Sequence, residues 1–258
     1  MRAAAPLLGR LLLPIAVLLA CGDSSSSDST QGGAGEGGSP TTNSGGSTSS
    51  GLPLGEPVDG EYHLGPVEWE GSFNNACSPY PSELQAIEGE LLAGLSLDYA
   101  GDGSLCDACI EVTTALGHVA VLRVVTYGVT EAPGNIDVSQ AAYDLLTEGE
   151  FPRTMSWRLA ECPDTGPLYF QWQTGANEYW TSLWVRNAQV PIEKLEVHSA
   201  NHASFTALER GADGTFTDAS GFGAGPFTLR VTGIDGSTFE QSFDAFVPGA
   251  LDPGEGNL

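Results

Sequence analysis

Four cysteines, Cys77, Cys106, Cys109 and Cys162, crowd into about a hundred residues, and none follows. An even set at that density in an exported chain reads as two disulfides, with three pairings open. The competing reading of Cys106-Asp107-Ala108-Cys109, half of a zinc site, needs a second close pair or nearby histidines. His63 and His118 are too scattered in sequence to supply them, so no metal is expected. His198 and His202 stand four apart at a strand end and loop and read as surface residues.

The premise of export comes from the first residues. Arg2 and Arg10 flank or interrupt an apolar stretch, Leu11 to Ala20, which is short for a bilayer span and has the form of a secretory signal. It ends Leu18-Leu19-Ala20-Cys21, which resembles the lipobox of bacterial lipoproteins and implies cleavage before Cys21 and lipidation there. Residues 1–20 are then a signal peptide, and 21–56 a lipidated cysteine with a disordered linker. From Gly22 to Gly51 the chain is almost all Gly, Ser and Thr, and Ala34 is its only aliphatic side chain. Nothing there can offset the entropy of ordering it. A coil of that length and composition spans roughly 30 Å.

Charge then narrows the partners. The chain carries 9 basic and 33 acidic residues, a net charge of −24, and Lys194 is its one lysine. Removing a leader that holds two of the arginines makes the remainder more acidic still. Counterion release from a phosphate backbone needs clustered Lys and Arg, so nucleic acid is excluded as a partner. Anionic lipid surfaces are disfavoured for the same reason, leaving the lipid on Cys21 as the membrane contact. Hydrophobic residues make up 41% of the chain, enough for real cores beyond the linker.

The pattern past residue 57 is mainly β. Ile110–Val112 and Val119–Val125 are β-branched runs around the turn-like Ala115-Leu116-Gly117-His118. Two helices are expected: one from Ser82-Glu83-Leu84-Gln85, a capping-box spacing, toward Leu92, and one over about Gln140 to Leu146. Later segments read as strand throughout: Leu168–Thr174, Tyr179–Asn187, Glu193–Ser199, and Phe227–Phe243 folded at Ile234-Asp235-Gly236-Ser237, where Asp-Gly between apolar runs signals a hairpin.

Three segments in order resemble the bacterial expansin-like proteins: Ser104-Leu105-Cys106-Asp107-Ala108-Cys109-Ile110-Glu111-Val112, Asn135-Ile136-Asp137-Val138-Ser139-Gln140-Ala141-Ala142-Tyr143, and Tyr179-Trp180-Thr181-Ser182-Leu183-Trp184-Val185-Arg186-Asn187 with Val190-Pro191-Ile192. The resemblance implies a six-stranded double-psi β-barrel over 57–163 and a carbohydrate-binding, immunoglobulin-like β-sandwich over 164–248, with 249–258 left as a flexible tail. It implies the pairings Cys77–Cys106 and Cys109–Cys162. It also implies non-hydrolytic loosening of cell-wall polysaccharide by a monomer that uses no cofactor.

By the same resemblance, Tyr179 and Trp180 supply an aromatic platform for sugar rings, with Gln173 beside it. Strand alternation adds Trp184 to the face of Trp180 and Ser182. The third platform aromatic of the family is missing from Arg210-Gly211-Ala212-Asp213-Gly214-Thr215-Phe216. Asp137 matches the aspartate that the family needs, although Asp137-x-x-Gln140 could also open the following helix as its cap. Tyr127 and Val129 stand where relatives carry an aspartate and a tyrosine. Glu68-Trp69-Glu70 partly resembles inverting endoglucanases of the same barrel, so Glu70 and Asp137 form a candidate base and acid. Three further readings follow: a β-glucan hydrolase, a lytic enzyme of peptidoglycan, and a surface adhesin. Strong acidity points to a neutral glycan rather than pectin or teichoic acid, and the lipobox to the outer membrane or surface of a Gram-negative bacterium.

Overall fold

The computed structural model describes residues 55–69, 75–130, 132–163 and 166–258. Cys21, the linker as far as Leu54, and Glu70 lie outside them. Residues Thr48–Leu258 form one compact unit.

The first half is a closed six-stranded barrel. Its strands are β1 (Val58–Leu64), β2 (Leu92–Leu95), β3 (Cys109–Thr114), β4 (Val119–Tyr127), β5 (Ile136–Val138) and β6 (Thr154–Ala160). Around the barrel they run β1-β5-β2-β4-β3-β6, with β1–β5 and β2–β4 parallel. Alternate residues point inward: Tyr62, Ile110, Val112, Leu122, Val124, Ile136, Val138 and Trp157 make the core. Chain crossings inside so small a barrel force backbones together. A Cβ on Gly60 would lie 2.2 Å from the Gly134 carbonyl, so only glycine fits.

Three short helices decorate it: α1 (Ser82–Glu88), α2 (Leu97–Ala100) and α3 (Gln140–Leu146). The cap of α3 is Ser139, which accepts from the Ala142 N–H. Asp137 is therefore not spent as a cap. The capping box expected at α1 does not form. Pro81 is its N-cap, and the Gln85 side chain donates instead to the Tyr80 carbonyl. That helix stops at Glu88, short of Leu92, because Gly89 leaves helical backbone at φ 77° and Leu92 is already the first residue of β2.

The second half is a β-sandwich built from β7 (Tyr169–Trp172), β8 (Thr181–Arg186), β9 (Ile192–Ser199), β10 (His202–Ala207), β11 (Glu209–Arg210), β12 (Phe216–Asp218), β13 (Phe227–Gly233), β14 (Thr238–Phe243) and β15 (Leu251–Pro253). One sheet is β10-β9-β13-β14, the other β11-β12-β8-β7-β15. Leu183, Val185, Leu195, Val197, Leu229 and Val231 interdigitate between them with Phe170, Trp172, Phe222 and Phe227. Residues 249–258 are not a loose tail. β15 pairs with β7, Asp252 accepts from the Trp172 indole at 2.8 Å, and Asn257 donates to the carbonyls of Gly166 and Asn187. Closing an edge strand over a buried tryptophan favours order over chain entropy there.

The barrel covers the outer face of the five-stranded sheet. Gln171, Ser182, Trp184 and Arg186 point away from the sandwich core, yet all are buried. Arg186 donates to the carbonyls of Cys77 and Pro79 and lies 4.1 Å from the Tyr80 ring centre. Tyr127 donates to the Ala212 carbonyl. Beside this junction the disulfides Cys77–Cys106 and Cys109–Cys162 form as the resemblance implied, with Cα separations of 5.4 and 5.2 Å. Among the described residues no cluster could hold a metal.

Candidate functional site

Asp137 occupies the middle of β5, between Ile136 and Val138, which face the barrel core. Its own side chain therefore faces outward. Parallel pairing with β1 sets it directly across from His63, and antiparallel pairing with β2 sets it across from Gly94. Gly65 closes the near wall. A Cβ there would sit 2.5 Å from the Asp137 Cβ and Oδ2, so the carboxylate rests on bare backbone.

The electrostatics of this pocket favour a ligand. Burial pushes Asp137 above the ordinary aspartate value, and the nearby His63 works the other way. Its side chain is only 14% exposed, and no group among the described residues hydrogen-bonds the carboxylate. A shielded carboxylate with open lone pairs is an acceptor for hydroxyl groups supplied from outside.

Gly65 also lines a cleft of about 430 Å³ with Leu64, Val67, Trp69, Leu92 and Ser139. Trp69 is fixed there by its indole bond to the Gly89 carbonyl (2.9 Å) and an edge contact with Tyr80. Glu68 and Glu90 are carboxylates at the same cleft. Tyr127, by contrast, is turned toward the junction with the sandwich.

On the sandwich, Trp180 and Gln173 extend the outer-face rows of Ser182 and Gln171 and remain half-buried. The Gln173 N–H donates to the Ser182 carbonyl, which fixes the two rows side by side. Asn177 holds the turn before Trp180 by accepting from the backbone N–H groups of Tyr179 and Trp180. Trp184 does not join this platform. It is on the predicted face, but only 5% exposed, with its indole bonded to the Asp213 carbonyl at 3.0 Å. The loop 211–215, which has no aromatic at the equivalent place, packs against the barrel, where the Ala212 carbonyl accepts from Tyr127. Tyr179, 74% exposed, lines a separate cavity of about 460 Å³ with Glu178, Phe227 and Phe246.

Two residues escaped the sequence reading. In sequence His63 stands out only as a candidate metal ligand; its position in the alternating Glu61-Tyr62-His63-Leu64 run just before Gly65 is the available signal. His202 is more than surface decoration, because its Nε2 pairs with the buried Asp218 carboxylate.

Comparison with known proteins agrees with this architecture. No family model matches the chain. Expansin-like protein 6 of Dictyostelium discoideum is 24% identical over 155 residues, covering 57% of this chain and 53% of that protein. Expansin-like protein 1 of the same organism is 20% identical over 183 residues, covering 68% and 62%. The crystal structure of apo Clavibacter michiganensis expansin superposes with a TM-score of 0.66 at 18% identity, over 78% of this chain and 97% of that one. This chain resembles expansins in sequence and in fold. A mutant of the Clavibacter expansin, crystallised in complex with cellohexaose, superposes with a TM-score of 0.62 at 19% identity, over 78% of this chain and 96% of that one. The expansin-like chain spans just over half the length of the Dictyostelium relatives named here.

Proposed function

We propose that this expansin-like chain binds neutral β-linked cell-wall polysaccharide without cleaving it and loosens the contacts between polymers. The observation that carries this reading is the Asp137 carboxylate, sheltered, unbonded within the described residues and beside an aromatic cleft. A Trp180–Gln173 surface on the sandwich offers a second contact. Sugar rings present apolar C–H faces to an aromatic ring and hydroxyls to a carboxylate, so the two surfaces divide the recognition between them. The complex of a structurally similar expansin with cellohexaose supports a β-glucan as the ligand. Lipidation at Cys21 would hold the protein at the cell surface at the end of its linker.

The test is retention on insoluble cellulose and xylan. The wild-type chain is retained, and Trp180→Ala weakens retention; equal retention of both removes the platform. Inverting hydrolysis, with Asp137 as acid and Glu70 as base, is a second reading favoured by the burial that pushes Asp137 upward. Release of reducing sugar from soluble β-glucan, lost in Asp137→Asn, would establish it over the first.

A further inference from the structure

The residue facing Asp137 is ionisable, and strand geometry fixes it there. β1 and β5 are parallel, with His63 in register with Asp137 and Tyr62 in register with Ile136. Side chains of in-register residues share a face of the sheet. Tyr62 and Ile136 are wholly buried in the core, so His63 and Asp137 both point outward, into the site. His63 Nδ1 lies 4.0 Å from Asp137 Oδ1, and its Nε2 lies 3.7 Å from Glu61 Oε2. The imidazole thus has a carboxylate at each ring nitrogen.

Resting on the polysaccharide reading above, we propose that His63 is a positioning residue of the groove, whose positive charge opposes protonation of Asp137 and so keeps its carboxylate available to accept sugar hydroxyls.

The surrounding groups make this a pair rather than a crowd. On the other side of Asp137, β2 contributes Gly94, which has no side chain, and the loop after β1 contributes Gly65. On α3, which packs against β1, Asp144 is engaged by Gln140 at 2.7 Å. Among the described residues, no basic group besides His63 comes within ion-pair distance of Asp137, and the carboxylates that His63 pairs with are those of Asp137 and Glu61. The side chain of His63 is 42% exposed and that of Asp137 14%, so the histidine exchanges protons with solvent while the carboxylate it serves stays shielded.

The sign of the coupling follows. A positive charge on His63 opposes protonation of Asp137, while burial favours it. As the pH falls far enough, Asp137 takes up a proton and stops acting as a full acceptor. Groove binding should therefore have an acid limb set by Asp137, which moves to higher pH when the His63 charge is removed.

The experiment follows the Asp137 carboxyl carbon by NMR through a pH titration of the full chain, assigned with Asp137→Asn, in wild type, His63→Gln and His63→Lys. Retention on insoluble cellulose is measured across the same pH series. The midpoint for Asp137 should rise by about one pH unit in His63→Gln and return toward wild type in His63→Lys. The acid limb of retention should move to higher pH in His63→Gln and return toward wild type in His63→Lys, whose cation persists. An unmoved midpoint in His63→Gln, in a protein whose remaining spectrum is native, overturns the proposal. A midpoint that moves as expected, with no variant retained on cellulose, upholds the ion pair and overturns the polysaccharide reading instead.

Discussion

Asp107 and Asn187 both hold left-handed backbone, at φ 69° and 60°, and the Asn187 N–H donates to Asp107 Oδ2 at 2.9 Å. The bond joins the Cys106–Cys109 segment of the barrel to the end of β8 in the sandwich. Left-handed backbone favours glycine, so the chain accepts a strained backbone at Asp107 in return for a carboxylate. That carboxylate also faces Arg123 Nη1 at 3.5 Å, in a site where Asp107 is 5% exposed. Asp107→Ala should lower unfolding stability by about 3–5 kcal/mol, since it leaves a buried arginine short of its partner. Asp107→Gly should be less damaging by about 1 kcal/mol, because it loses the same contacts but relieves the backbone. Urea midpoints of the three proteins check the order.

Glu88 is buried beside this pair, with its Oε2 3.4 Å from Arg123 Nε. Burial pushes its carboxyl well above the ordinary glutamate range, and the Asp107 charge adds to the rise while Arg123 opposes it. The folded chain therefore holds a proton that the unfolded chain has released across that interval. Stability from this group is complete below the ordinary glutamate value and is lost as the pH rises through the raised one. Glu88→Gln should flatten that slope and stabilise the protein most at the alkaline end, as read from urea midpoints across the pH series.

Trp180 and Trp184 share a strand face but should fail differently. Trp184→Ala removes a buried ring and its bond to the Asp213 carbonyl, and should cost about 3–5 kcal/mol of stability. Trp180→Ala should change stability much less and lower cellulose retention. Thermal melts paired with retention assays, both run well below the melting point of the weaker variant, separate the two effects.

Gly65→Ala tests the support under Asp137. The added methyl would meet Asp137 at 2.5 Å, so β5 or the loop must shift. A stability loss of about 1–3 kcal/mol is expected. Retention by the groove should fall even in solution conditions where the variant is fully folded. An Asp137-dependent binding signal equal to wild type would show that the carboxylate tolerates displacement.

Local signals in the sequence carried as far as local physics reaches. α3 is legible as a helix over about Gln140 to Leu146, although its cap is Ser139 and not the Asp137 that the spacing offered, and the β13–β14 hairpin is legible because Asp235-Gly236 sits between apolar runs. β10 showed no alternation to read, since it is partly or fully exposed along its length. β11, β12 and β15 are two or three residues each, and their pairing partners lie far away in sequence for all but β11. Alternation put Trp184 on the correct face, but only the tertiary fold shows that the barrel covers that face. In the same way His63 reads as an isolated histidine until β1 and β5 align it with Asp137.

The pairing of β15 with β7 has a consequence for how the protein is made. Every barrel strand lies before residue 161, so the barrel's strands emerge from the ribosome ahead of those of the sandwich. The sandwich cannot finish then, because Asp252, which accepts from the Trp172 indole, and Asn257, which donates to the Asn187 carbonyl, are synthesised well after β6. Domains generally fold as units, the N-terminal one first. Termination before β15 would therefore release a chain with a complete set of barrel strands and an open, aromatic-rich sheet, a product for quality control.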